Sequence, residues 1–270
     1  MALKLNKKYL APLASLLVTG GLLMTVGVLL LGSSFGWFSH NDRVTATGLS
    51  VSSISPYKTE QALYELKDGQ LTKLTGTAEA ALFAEMLPGD KRTVYLGVTN
   101  KDTVTLDLQV LLSAPSRGTD SGYTATVTEG SNAVTEHYYL GSQIRVSDIK
   151  LATATGATTG DEICAVEGKN AFLLTMPDAF YQNGKQNTGA TEAQVTAAFE
   201  SAAQKKLTDT GSITVAPDET VYVAITFEFA ENNQVQNPYI NFGADSTKAA
   251  PQNCVLTRTL LCWYSKVAAE

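Results

Sequence analysis

Three stretches of this 270-residue chain alternate apolar and polar side chains with a period of two, and that alternation constrains the fold most. Val104, Leu106, Leu108, Val110 and Leu112 form one run, and Val221, Val223, Ile225, Phe227 and Phe229 form another. In the third, Val94, Leu96 and Val98 alternate with Thr93, Tyr95 and Gly97. Successive side chains of a strand point to opposite faces, so such runs predict half-buried strands with one dry and one wet side. The turn Leu87-Pro88-Gly89-Asp90 leads into the third run, and the loop Asn100-Lys101-Asp102 joins it to the first, so these two are expected to pair antiparallel. Ala62–Leu66 and Leu71–Thr75 flank Lys67-Asp68-Gly69-Gln70, and Asp-Gly between strand-like runs predicts a hairpin. Arg43–Ser53, with Gly48 as a bulge, and Cys254–Tyr264 read as the first and last strands. The expected fold is mainly β, an antiparallel two-sheet sandwich.

The middle of the chain breaks the pattern. Ala152–Gly160 is a run of small residues that reads as a loop, and Met176–Ala190, rich in Asn, Gly and Gln, reads as irregular. Thr191–Leu207 reads as the one good helix: Thr191 and Gln194 make a capping box, and Val195, Ala198, Phe199 and Ala202 share a face. Residues 114–216 are therefore expected as a helical and loop insertion within a single domain spanning 37–270, the helix packing on the sheets as a crossover.

The N-terminus has the form of an export signal. Lys4, Lys7 and Lys8 precede an apolar stretch from Tyr9 to Leu31, followed by the small-residue patch Gly32-Ser33-Ser34-Phe35-Gly36. Cleavage after Gly36, with Ser34 and Gly36 in the −3 and −1 positions and Trp37 as the new N-terminus, or after Ser34, fits this patch. The alternative is an uncleaved anchor, since the run approaches the roughly 20 residues that span a bilayer. In both readings the bulk of the chain lies outside the cytoplasmic membrane. Nothing after Leu31 is apolar for long enough to span again.

Charge narrows the function classes. The first 36 residues hold three lysines and no acid, which leaves the remainder with 17 basic against 26 acidic groups, a formal −9. A nucleic-acid binder needs a basic face, so that class is set aside. With two histidines and three cysteines a multi-ligand zinc cage is not expected, and no cofactor or metal is assigned. His40 and His137 lie in no zinc motif, and the chain has no Gly-x-Ser-x-Gly elbow, Walker loop or Gly-x-Gly-x-x-Gly. The acid pairs Asp161-Glu162 and Asp218-Glu219 are read as solvated loop neighbours. Cys254 and Cys262 on one continuous strand would stand roughly 26 Å apart, too far for a disulfide, while Cys164 is free to pair with either or to stay a thiol.

Three stretches together resemble the TasA/camelysin family of exported Gram-positive proteins, known for biofilm matrix fibres. The first is Phe35-Gly36-Trp37-Phe38-Ser39 with Asn41-Asp42 and Val44-Thr45-Ala46-Thr47-Gly48-Leu49, similar to the family's cleavage junction and first strand. The second is Leu87-Pro88-Gly89-Asp90-Lys91 and the two strands after it, and the third is Val221–Glu231 with Val235-Gln236-Asn237-Pro238-Tyr239 and Cys254–Trp263. The resemblance implies a jelly-roll-like sandwich, export through a dedicated type I signal peptidase, and head-to-tail polymerisation. In such fibres the freed N-terminal strand of one subunit adds to a sheet of the next.

Three readings follow. In the first the chain is a non-enzymatic, secreted subunit of a matrix or cell-surface fibre. Its partners are further copies of itself, with a related accessory subunit as a second candidate. The donor strand runs through Asn41–Ser53, carried by Asn41, Val44, Ala46, Gly48, Leu49 and Val51. Such a strand can equally fold back into its own sandwich. The second reading is a monomeric adhesin whose loops 114–135 and 152–190 contact a glycan or a host protein. The third is an extracellular hydrolase. Camelysin-type relatives are described as metalloproteases, but no motif here can hold zinc and position a base, so that activity is not carried over.

Overall fold

The alternating runs fold as strands and bury the face their pattern assigns to the core. The computed structural model describes residues 48–75, 82–83, 86, 88–120, 123–129, 132–176, 181–182, 185–186, 192–230 and 256–267. The chain divides into residues 1–42, which lie outside the described residues, and a compact unit of 43–270. In chain order the strands are β1 (Leu49–Ser53), β2 (Thr59–Lys67), β3 (Gln70–Lys73), β4 (Lys91–Asn100), β5 (Leu106–Leu112), β6 (Tyr123–Glu129) and β7 (Asn132–Tyr138). They continue as β8 (Ile144–Ala152), β9 (Thr158–Glu162), β10 (Tyr181–Gln182) and β11 (Lys185–Gln186). After helix α1 (Glu192–Glu200) come β12 (Lys205–Lys206), β13 (Thr214–Val215), β14 (Thr220–Phe229) and β15 (Arg258–Lys266).

Two sheets face each other. The larger has the order β3-β2-β4-β14-β8-β9, all antiparallel. The other runs β1-β15-β5, with β12 and β13 both on the free side of β5. Their inner faces make one core: Val94, Leu96, Val98, Val223, Ile225, Phe227 and Phe229 from one sheet meet Leu49, Leu106, Leu108, Val110, Leu260 and Cys262 from the other, each wholly buried. The fold is a mainly antiparallel β-sandwich. The outer face of the larger sheet is wet at the cross-strand hydroxyl pairs Thr93–Thr226 and Thr99–Thr220, each at 2.8 Å, while between them Tyr95 and Ala224 are buried.

The Asp-Gly hairpin forms as expected. Lys67 faces Gln70, and Asp68 and Gly69 take φ of 51° and 75°, the left-handed pair a two-residue type I′ turn requires. In β8, Val146 and Ile149 both face the core although three residues apart. A bulge shifts the register opposite Thr226 and Phe227, so that one extra residue, Ser147, resets the parity.

Several expectations need correction. The runs at Val94–Thr99 and Val104–Leu112 do not pair with each other: β4 lies between β2 and β14, and β5 beside β15 in the opposite sheet. The reason is the connection at Asn100, which carries the chain over the edge of the core instead of reversing it. Asn100 is fully buried, its amide donates to Val104 O (2.8 Å) and Val215 O (3.0 Å), and its Oδ1 accepts from Asp102 N (2.8 Å). The helix ends at Glu200 rather than Leu207, because Lys205 and Lys206 pair with Leu112 and Leu111 of β5, and Leu207 N donates to Val110 O. Val195 and Ala198 do form its buried face.

The stretch 114–216 is less an insertion than a contributor of strands: β8 and β9 extend one sheet, β12 and β13 border the other. Within the presumed loop 152–160, Thr158–Ala152 pairing begins a strand that carries Asp161 and Glu162, and 176–190 contains the short hairpin β10–β11. The last strand starts at Arg258, and Cys254 lies outside the described residues. The first strand, described from Leu49, pairs parallel with β15, in sheets whose other described pairings are antiparallel.

Asn100→Ala strips two buried carbonyls of their donor and one amide of its acceptor. Denaturant unfolding should show it less stable by about 3 kcal/mol.

Candidate functional site

The sheet that contains β15 carries two features of interest, one on each side of that strand. On one side is β1. Its register on β15 runs from Leu49 opposite Arg258 to Ser53 opposite Cys262. Arg258 N donates to Gly48 O (2.8 Å), Ile54 N to Cys262 O (3.2 Å), and the Ser50 and Thr259 hydroxyls bond at 2.8 Å. Parallel pairing is slightly weaker per residue than antiparallel pairing. Only Leu49 of β1 is wholly buried, Val51 packs partly on the core, and Ser53 Oγ is buried with no hydrogen-bond partner. Beyond it, Ile54 and Trp263 stand 52% and 39% exposed. Of the expected donor residues, Gly48, Leu49 and Val51 therefore sit at an edge of their own sheet. Asn41, Val44 and Ala46, and the cleavage residues Ser34, Gly36 and Trp37, lie outside the described residues.

At the head of β15 the chain buries an ion pair. Arg258 and Asp120 are both wholly inaccessible, with Nη2 3.5 Å from Oδ2. Arg258 Nε donates to Leu173 O (3.1 Å), and Nη1 donates to Thr257 O (2.7 Å) and Thr119 Oγ1 (3.1 Å). The guanidinium cannot shed its proton, so a buried one demands this many acceptors. Burial draws its pKa down, and the Asp120 carboxylate pushes back. The turn Leu140–Ser142 passes so close that a Cβ on Gly141 would overlap Asp120 Oδ2.

Next to this pair, on the β12 side, lies a cavity of about 340 Å³ between β5, the 173–176 segment and the C-terminal end of α1. Leu112, Pro115, Leu173, Met176, Ala198 and Ala202 give it apolar walls, and Thr175 and Lys205 also line it. Lys205 Nζ donates to Thr175 Oγ1 (2.6 Å) and Phe172 O (3.0 Å). Burial, and then the positive charge of Arg258, lower its pKa; no carboxylate among the described residues counteracts them.

No group of three or more His, Cys, Asp or Glu among the described residues is placed to hold a metal ion. His137 falls on β7, and His40 lies outside the described residues. Cys164 and Cys262 are free thiols. Burial raises the first to about 11, with Glu162 adding to the rise, and the second to about 12. Among the described residues no helix is long and apolar enough to cross a membrane.

The sequence reading missed Arg258, Asp120 and Lys205. Arg258 had a readable signal, a single charge in the apolar run Leu256–Tyr264, since a charge in a core strand must be bonded there. The cavity had none, because three separate segments assemble it.

No protein-family model matches the chain, and no curated protein matches it. Among solved structures, that of AvmM, described as catalysing macrocyclization in alchivemycin A biosynthesis, is similar at a TM-score of 0.30 and 7% identity. The match covers 80% of this chain and 93% of that one.

Arg258→Ala should destabilise the chain by about 3–5 kcal/mol in denaturant unfolding, because Asp120 is left buried without its cation. In a Cys254→Ser background, the two remaining thiols should resist a thiol reagent at pH 8 until the chain is unfolded. With its pKa near 12 in place of 9.0, Cys262 holds about a thousandfold less thiolate than an ordinary cysteine. The stability from keeping that thiol neutral is fully present below its unfolded pKa and is lost as pH rises from there through about 12.

Proposed function

We propose that this chain is a non-enzymatic, secreted structural subunit that assembles head-to-tail by exchange of its N-terminal strand. The observation that carries the reading is the seating of β1. It is an edge strand, five residues long, paired parallel, with one side chain wholly buried. Local stability follows buried apolar contact, so β1 is held less firmly than its long neighbours β15 and β5. Its departure would bare one edge of β15, and an unpaired edge accepts another strand. The β1 of a second copy fits the vacated register by construction. A contact between the front of one subunit and a different surface of the next need not close on itself, so filaments follow.

The lysine-led apolar segment and the Ser34–Trp37 junction support export and cleavage by a signal peptidase ahead of the donor strand, with the mature chain at the cell surface or in an extracellular matrix. The resemblance to the TasA/camelysin family supports the same assembly and leaves room for a related accessory subunit. A monomeric surface binding module is the second reading, and the cavity beside Lys205 is what favours it.

Locking β1 at home separates the two. Ser50 and Thr259 are register partners whose hydroxyls touch at 2.8 Å, so a Ser50→Cys/Thr259→Cys chain oxidised as a monomer ties the strand to its own β15. By negative-stain electron microscopy the reduced double variant and the wild type should form filaments and the oxidised form should not. Filaments from the locked chain would overturn strand exchange, and a wild type that stays monomeric on concentration would favour the binding module.

A further inference from the structure

The cavity at α1 has a chemistry of its own. Its walls are mostly apolar, with Ser113, Thr175, Ser201 and Gln204 among them, its volume of about 340 Å³ is at the lower end of the range for small-molecule sites, and one cation is set in its rim. That cation is not there for local balance. Lys205 Nζ has neutral partners only, the Thr175 hydroxyl and the Phe172 carbonyl, which occupy two of its three donors. Among the described residues the charge that acts on it is a second cation, Arg258, which is itself paired with Asp120. A lysine half-buried beside apolar side chains, with no acid of its own among the described residues, is an electrostatic deficit that an anion would fill.

We propose that this cavity binds a small aliphatic monocarboxylate, its tail against Leu112, Leu173, Met176 and Ala202 and its carboxylate on Lys205 Nζ. One remaining N–H matches a monoanion and falls short of a phosphate dianion, which calls for several donors or a bidentate guanidinium. The cavity volume suits a short chain and excludes a folded peptide. The tail gains the dispersion contacts that an empty apolar cavity lacks, and the carboxylate gains a charge-assisted bond at the rim. The site is independent of the strand exchange proposed above.

Hexanoate is the probe, with hexan-1-ol as its neutral counterpart, titrated calorimetrically into the full chain in nonionic detergent against a detergent blank. Saturable binding of one hexanoate per chain is expected. The affinity should fall tenfold or more (about the loss of one charge-assisted bond) for hexan-1-ol and for Lys205→Met, and binding should disappear in Ala202→Phe, which fills the cavity. Heat indistinguishable from the blank, equal binding of hexanoate and hexan-1-ol, or an unchanged affinity in Ala202→Phe would each overturn the proposal. Should Lys205→Met fail to fold, the contrast between hexanoate and hexan-1-ol on the wild type still decides.

Discussion

A guanidinium that cannot be neutralised, placed at zero exposure, organises one end of this sandwich. Arg258 opens β15, and its side chain reaches the backbone or hydroxyl of Thr119, Thr257 and Leu173 as well as Asp120. Apart from its neighbour Thr257, those partners belong to two segments far from Arg258 in sequence, around Thr119 and at Leu173. Replacing such a pair with hydrophobic residues is often neutral in energy; what the pair adds is a single allowed arrangement, because every other arrangement strands a charge. Thr257 N and Thr119 O, at 2.6 Å, and the bridge between Asp120 and Leu256 follow the same line and stitch the approach of β15 to the loop after β5.

Asn100 is the neutral counterpart at the opposite turn of the chain. It ends β4 in one sheet, while Leu106 begins β5 in the other. A crossover of so few residues must turn inward at once, which would bury backbone groups without partners. The Asn100 amide answers two of them and its oxygen a third, while its own N–H and carbonyl pair with Glu219 O and Asp218 N at the start of β14. The two sheets are thus joined at one point by a side chain that mimics the backbone.

What could be read from the sequence was what depends on local periodicity. The alternation in β4, β5 and β14 and the Asp68-Gly69 turn determine strand existence, the buried face and a hairpin, since each is a property of a few consecutive residues. Partnership is a different matter: the same alternation is satisfied whether β4 lies beside β5 or across the core from it, and the observed arrangement depends on non-local pairing and on the crossover that Asn100 holds. The helix was overread because Gln204-Lys205-Lys206-Leu207 is compatible with helix in isolation. Pairing with the open edge of β5 outweighs that weak preference. Parallel pairing of β1 with β15 joins residues 209 apart, as between Ser50 and Thr259, and no local signal encodes it. The ion pair and the cavity are further still from local reading, being contacts among segments.

The sheet order gives these parts a common axis. β1 lies on one side of β15, and on the other β5 carries β12 with Lys205 at the cavity wall. Arg258 touches both: its backbone N–H holds Gly48 O beside β1, and its guanidinium holds Leu173 O, in the residue that lines the cavity. Removing β1 therefore takes an acceptor from Arg258 N, and shifting Leu173 takes one from Arg258 Nε. The guanidinium has no neutral form to fall back on, so the loss at Nε must be met by movement of the strand or by a replacement acceptor, and the backbone N–H left by Gly48 O needs a new acceptor as well. A strand arriving from another copy, in the exchange proposed above, would bring that backbone acceptor in the same register.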